Sequence, residues 1–150
     1  TGTHVLLSTS FNNNVEPIVE SAWDAVECFL TTGIDRLVIG DHIIERLPFT
    51  SAALGGCVAA VPPHLTLNSR IGRGSERVRG TSYYIATTAK YAFEQPISAN
   101  AFEVMARCDG DTSLHTLLDA LVPSPSRTVV LEEIRELWSS RLVTLRPRRR

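Results

Sequence analysis

Four histidines, three cysteines and a glycine-arginine stretch hold most of the reactive chemistry open to this 150-residue chain. His4, His42, His64 and His115 would make a metal site only if their spacing placed ligands together. They are far apart, with no His-x-Asp, His-x-x-x-His or Cys-x-x-Cys, so no metal ligand is expected. Gly55-Gly56-Cys57 offers a thiol after small residues, but it lacks the nucleophile-elbow pattern and no motif ties a His or Asp to it. Gly72-Arg73-Gly74-Ser75 is a basic turn without the spacing of a phosphate loop, and it reads as a flexible segment. Cys28, Cys57 and Cys108 are odd in number and set among apolar residues. They read as small buried hydrophobes in a reducing compartment, which points to the cytoplasm. No catalytic residue is expected in the chain.

The other chemistry available is recognition by surface. Tyr83, Tyr84 and Tyr91 give amphipathic contact area, and the edge of an extended ribbon from Ser82 to Phe93 would accept a peptide by strand addition. With side chains of a neighbouring helix, the expected peptide-binding set is Tyr83, Tyr84, Ile85, Tyr91, Phe93, Leu131 and Arg135. The same tyrosines could instead complete a core.

Such a site needs elements to hold it. Alternation in Thr81–Thr87 and Lys90–Glu94 predicts a two-stranded ribbon, stopped by Pro96. Ser98 is placed to cap a helix carrying Ala101, Phe102, Met105 and Cys108, which ends at Asp109-Gly110. Thr112 or Ser113 caps a second helix with Leu114, Leu117, Leu118 and Leu121 on one side. A loop, Pro123 to Ser126, leads to a third, over 128–140, that turns Val130, Leu131, Ile134, Leu137 and Trp138 inward, and Leu142–Leu145 closes the unit as a strand. Upstream, His4–Phe11 reads as a strand and Asn14–Thr32 as an amphipathic helix with Val15, Ile18, Val19, Ala22, Val26, Phe29 and Leu30 on one face. The paired apolar residues of 34–49 suggest short helical turns broken at Gly40, residues 50–63 a linker, Leu65–Leu67 a short strand, and Arg70–Gly80 a charged, mobile entry. The fold class is therefore α+β: a strand and helix over residues 1–63, a packing or dimerisation region, then a winged helix-turn-helix over 64–150.

Composition narrows the function classes. At 43% hydrophobic residues the chain can bury a core, and no apolar run is long enough to cross a bilayer. Thr1-Gly2-Thr3-His4 is neither a signal peptide nor an initiator methionine, so a processed or excised chain is expected. The net charge of −1 hides an acidic front and a basic rear, the latter concentrated in Arg70, Arg73, Arg77, Arg79, Arg146, Arg148, Arg149 and Arg150. The third helix nevertheless sets Glu132, Glu133 and Glu136 against Arg135, a face that repels phosphates. Nucleic acid is thus a disfavoured partner, and a DNA-binding regulator ranks third among the readings.

Two family resemblances follow from quoted residues. Leu67-Asn68-Ser69-Arg70, the ribbon, Ile97 to Met105, Asp109-Gly110 and Leu114–Leu121 resemble the PqqD family, recognition elements of ribosomal peptide biosynthesis. That resemblance implies a leader peptide paired with the ribbon edge beside the third helix, and no catalysis. Thr3 to Ser8, the long helix, Arg77 to Tyr83 and the closing unit are similar to the C-terminal part of JmjC-type cupin hydroxylases. This second resemblance implies a structural tail, with Fe(II) and 2-oxoglutarate held elsewhere; no cofactor is expected in this chain. The sequence reading is accordingly a non-catalytic module that recognises a peptide or protein substrate for a modifying enzyme. Its partners would be that enzyme or the rest of a longer chain, with a possible homodimer through helix 14–32, and no membrane.

Overall fold

The computed structural model describes residues 2, 8–12, 18–47, 50–72, 80–87 and 93–148. It shows an α+β protein that divides into two compact units, Thr1–Leu47 and Pro48–Arg150. The 63/64 division expected from the sequence falls inside the second unit. No helix among the described residues is long and apolar enough to cross a membrane.

In the first unit the helix is shorter than its hydrophobic periodicity suggested. Helix α1 spans Ala22–Thr31 and is fixed by a reciprocal capping box. The Asp24 backbone N–H donates to Ser21 Oγ at 3.1 Å, and the Ser21 N–H donates to Asp24 Oδ2 at 3.1 Å. This Ser-x-x-Asp signal satisfies two helix-start donors together. Ile18–Glu20 are described and lie outside the helix, while Asn14, where the helix was expected to begin, falls outside the described residues. At the other end Thr31 and Thr32 hydroxyls donate back to the Glu27 and Cys28 carbonyls at 2.8 and 2.7 Å, occupying acceptors that a helix end leaves open.

Residues 36–45 correct the helical-turn expectation: they form an antiparallel hairpin of β1 (Arg36–Ile39) and β2 (His42–Glu45). Gly40, at φ +57°, takes the first central position of its two-residue turn, where a side chain would be strained. Leu37 packs with Ala25 and Phe29, and Phe11, Val19, Val26, Leu30, Ile39 and Ile44 gather around them. Arg46 locks the arrangement. Its Nη2 donates to the Phe29 and Thr32 carbonyls at 2.6 and 2.5 Å, and its guanidinium sits 5.3 Å from the Phe29 ring centroid. A cation is thus placed at the negative end of α1. Ser8–Asn12 carry no strand, and the rest of the expected His4–Phe11 strand lies mostly outside the described residues.

The second unit begins with a further correction. Residues 50–63 are not a linker: Thr50 caps α2 (Ser51–Gly55), and β3 (Cys57–Ala60) follows. Next come β4 (Leu65–Ile71), β5 (Thr81–Thr87) and β6 (Glu94–Ile97), one antiparallel sheet in the order β4-β5-β6. The ribbon therefore has three strands. Pro96 lies within β6 and does not stop it, since an edge strand tolerates a missing N–H. Of the Lys90–Glu94 strand, residues 90–92 lie outside the described residues, as do residues 73–79 of the expected Arg70–Gly80 entry.

Three helices follow, each capped as its sequence allows. Ser98 caps α3 (Ala99–Ala106) and Ser113 caps α4 (Leu114–Leu121). Helix α5 (Ser124–Ser139) starts earlier than expected. Pro123-Ser124-Pro125 makes its first turn, because proline there removes only an N–H that has no partner in the helix. Val130, Ile134, Leu137 and Trp138 are buried as predicted, whereas Leu131 is half-buried. The Glu133 carboxylate on α5 accepts from the Ser98 N–H at 2.7 Å and the Ser98 hydroxyl at 2.6 Å, joining α5 to the start of α3. The closing strand β7 (Thr144–Pro147) pairs with β3, from Cys57 opposite Pro147 to Ala60 opposite Thr144, and not with the three-stranded sheet.

Candidate functional site

Strand β5 sets the geometry of the surface singled out from the sequence. It is the central strand, so both its edges are already hydrogen-bonded, one to β4 and the other to β6. Its side chains alternate between faces. Tyr83 turns toward α3, with its ring 4.6 Å from that of Phe102, and Ile85 is fully buried at 0% exposure. Tyr84 lies on the opposite face, under the Arg70 guanidinium at 4.9 Å. Arg70 Nη2 in turn donates to Glu94 Oε1 at 2.8 Å. The tyrosines thus do not form one patch: Tyr83 contributes to the core and Tyr84 to an outer polar face with Arg70 and Glu94.

The other expected residues are also dispersed. Phe93 is exposed at 43%, Leu131 is half-buried, and Arg135 pairs with Glu132 one turn away on α5. That pairing, led by the hydrogen bond from Arg135, holds the Glu132 carboxyl below its ordinary range. Tyr91 lies outside the described residues.

Among the described residues of the second unit, three concave places stand out. A cleft of about 380 Å³ lies between β4 and the end of α3, lined by Leu65, Leu67, Met105, Cys108 and Asp109 among others. A groove of about 270 Å³ runs between β6 and α5, with Gln95, Glu133, Glu136 and Leu137 on its walls. The third, about 220 Å³, is bounded by Thr50, Ser51, Leu54, Glu132 and Arg135. Two thiols and one carboxyl group of this unit are held away from acid–base and nucleophilic work. Burial, with the neighbouring Asp109 charge, pushes the Cys108 thiol up to about 11, so it stays protonated at neutral pH. Burial also raises Cys57, whose thiol donates to the Ala53 carbonyl at 3.4 Å. Asp109 is held down at about 2 by the N–H groups of Thr112 and Asp111 and by the Thr112 hydroxyl, so it remains a charged loop anchor and not a proton donor.

Two further polar groupings are structural in the same sense. His115 Nδ1 lies 3.1 Å from Asp119 Oδ2, and Arg127 lies 2.5 Å from Asp119 Oδ1. Arg127 also donates to the Asp119 and Val122 carbonyls at 3.0 and 2.9 Å, closing the end of α4. Among the described residues, no three His, Cys, Asp or Glu side chains gather closely enough to hold a metal ion.

Comparison with known proteins directs attention to the first unit. Residues 1–46 match the family model described as Carbamoyltransferase C-terminus. Over 150 residues the chain is 37% identical to the nodulation protein NolNO of Sinorhizobium fredii, covering 99% of this chain and 22% of that protein. It is 35% identical over 144 residues to the nodulation protein NolO of Bradyrhizobium diazoefficiens, covering 95% of this chain and 26% of that protein. The chain thus spans about a quarter of the length of these curated relatives. These matches overturn the functional reading of the sequence, in which the chain recognised a leader peptide, formed a hydroxylase tail or regulated DNA. That reading weighed the helical rear half, where the elements have plain caps. The family likeness lies in the front 46 residues, whose strands it took for helical turns.

Proposed function

We propose that this chain is a portion of a carbamoyl-transferring protein, with residues 1–47 contributing to the transferase body and residues 48–150 forming a module attached to it. The observation that carries this is a coincidence of boundaries: the match to Carbamoyltransferase C-terminus covers residues 1–46, and the first compact unit is Thr1–Leu47. Extended similarity to two much longer proteins supports a segment working within a larger polypeptide.

Carbamoyl transfer moves a C(=O)NH₂ group from a donor to a nucleophilic acceptor, and it calls for groups that hold the leaving group and stabilise charge on the carbonyl oxygen. The cationic side chains of the first unit are otherwise engaged. Arg36 pairs with Glu45 at 3.0 Å, and Arg46 is bonded to the carbonyls at the end of α1. Unit 1 therefore supplies framework, and the reacting groups come from other parts of the transferase. Three free cysteines, one buried and two half-buried, support a reducing compartment such as the cytoplasm.

The test is consumption of carbamoyl phosphate by the intact protein, above its spontaneous breakdown. Phe29→Ala removes the fully buried ring at the centre of unit 1 and is expected to lower turnover by roughly tenfold or more through loss of that framework. Turnover equal to the parent, or no turnover by the parent, overturns the proposal.

A further inference from the structure

The first unit leaves an unusual share of apolar surface in water. Among the described residues, six of the nine large hydrophobic side chains that stand exposed belong to it, although it is the smaller unit: Ile18, Trp23, Ile34, Val38, Ile43 and Leu47. Val38 and Ile43 are directly opposite each other across the β1–β2 hairpin, exposed at 66% and 68%. The next cross-strand pair, Leu37 and Ile44, faces the other way and packs into the core with α1. The hairpin is therefore apolar on both faces, the pattern of strands that are covered on both sides. Two strands alone are also a marginal sheet, which gains independent stability only from further strands or a second packed layer. Beside the apolar pair, Arg36 and Glu45 form an exposed 3.0 Å ion pair at the open end of the hairpin, a polar border to the patch.

We propose that the outer face of this hairpin, built on Val38 and Ile43, is an internal interface covered by the remainder of the carbamoyltransferase. This rests on the reading given under Proposed function. The occupant is argued from length: the relatives match almost all of this chain yet extend over roughly four times as much polypeptide, and the matched family segment falls on this unit. A unit of this size is marginal on its own small core, so covering its remaining apolar surface adds stability it needs. The chemistry of the occupant is correspondingly an uncharged, apolar surface flanked by polar groups that meet Arg36 and Glu45.

The experiment places a thiol at each position, Val38→Cys and Ile43→Cys, in the intact protein and follows maleimide labelling by peptide mass, which separates the new thiols from Cys28, Cys57 and Cys108. Carbamoyl phosphate turnover at the parental rate shows that each variant is folded. Both thiols are expected to label at least about a hundredfold more slowly in the native protein than in denaturant, as a face opened only by local unfolding would. Labelling within about threefold of the denatured rate in an active variant overturns the interface while leaving the transferase reading standing. Protection that disappears on dilution assigns the face to a second copy of the protein and also overturns it.

Discussion

At the scale of single residues, several side chains that resemble catalytic candidates are anchors. Asp109 is the plainest. Three donors from Asp111 and Thr112 stabilise its charged form and depress its pKa from the ordinary 3.8 to about 2. A group whose pKa falls on folding contributes stability that is fully present above the unfolded value and lost as pH drops through the folded one. Parent and Asp109→Asn proteins should therefore differ in denaturation midpoint at neutral pH, and the difference should shrink between about pH 4 and 2. A gap that persists unchanged at pH 2 would show that Asp109 acts by something other than its charge. In the sequence the histidines, cysteines and glycine turns lack partners at motif spacing, which is why no chemistry was expected of them. What the sequence concealed was the division of the tyrosines between two faces of β5: alternation predicts opposite faces for Tyr83 and Tyr84, but not that β4 takes the remaining edge.

Elements were readable where a cap and an apolar period agreed. Ser98 and Ser113 start α3 and α4 as expected, and their buried faces fall at helical spacing. Misreadings came where two local signals competed. Periodicity alone extended α1 back to Asn14, yet the capping box at Ser21 and Asp24 sets its start. Prolines suggested a loop before α5 although the first helical turn accepts them. Apolar pairs in 34–45 imitated helical turns because a hairpin with apolar residues on both faces loses polar alternation. The bond from β2's flank to α1 was invisible, since nothing local links Arg46 with Phe29, 17 residues earlier. Arg46→Ala should destabilise the first unit by about 1–2 kcal/mol, the worth of charge-assisted bonds to backbone carbonyls at a partly exposed helix end, and Arg46→Lys should recover only part of it. Denaturant unfolding followed by Trp23 fluorescence in a Trp138→Phe background, which silences the tryptophan of the second unit, reads this directly, and an unchanged midpoint in Arg46→Ala would assign the helix end to Thr31 and Thr32 alone.

At the scale of the whole molecule, the α+β class was legible from the mixture of alternating and helical patterns, while the function was not. The family model covers residues 1–46, where no catalytic spacing announces it, and the better-patterned rear half drew the functional reading toward peptide recognition. The doubly apolar hairpin of β1 and β2 is the surface feature that the proposed larger transferase would account for. Separate compact units predict separable defects. The decisive measurement is therefore carbamoyl phosphate turnover by the intact protein carrying either Phe29→Ala or Ile85→Ala, each deleting a fully buried side chain in a different unit. Both substitutions should destabilise their own unit by about 2–5 kcal/mol. The account predicts that Phe29→Ala abolishes most turnover while Ile85→Ala retains it under conditions where the first unit stays folded. Turnover lost in Ile85→Ala and kept in Phe29→Ala would contradict it.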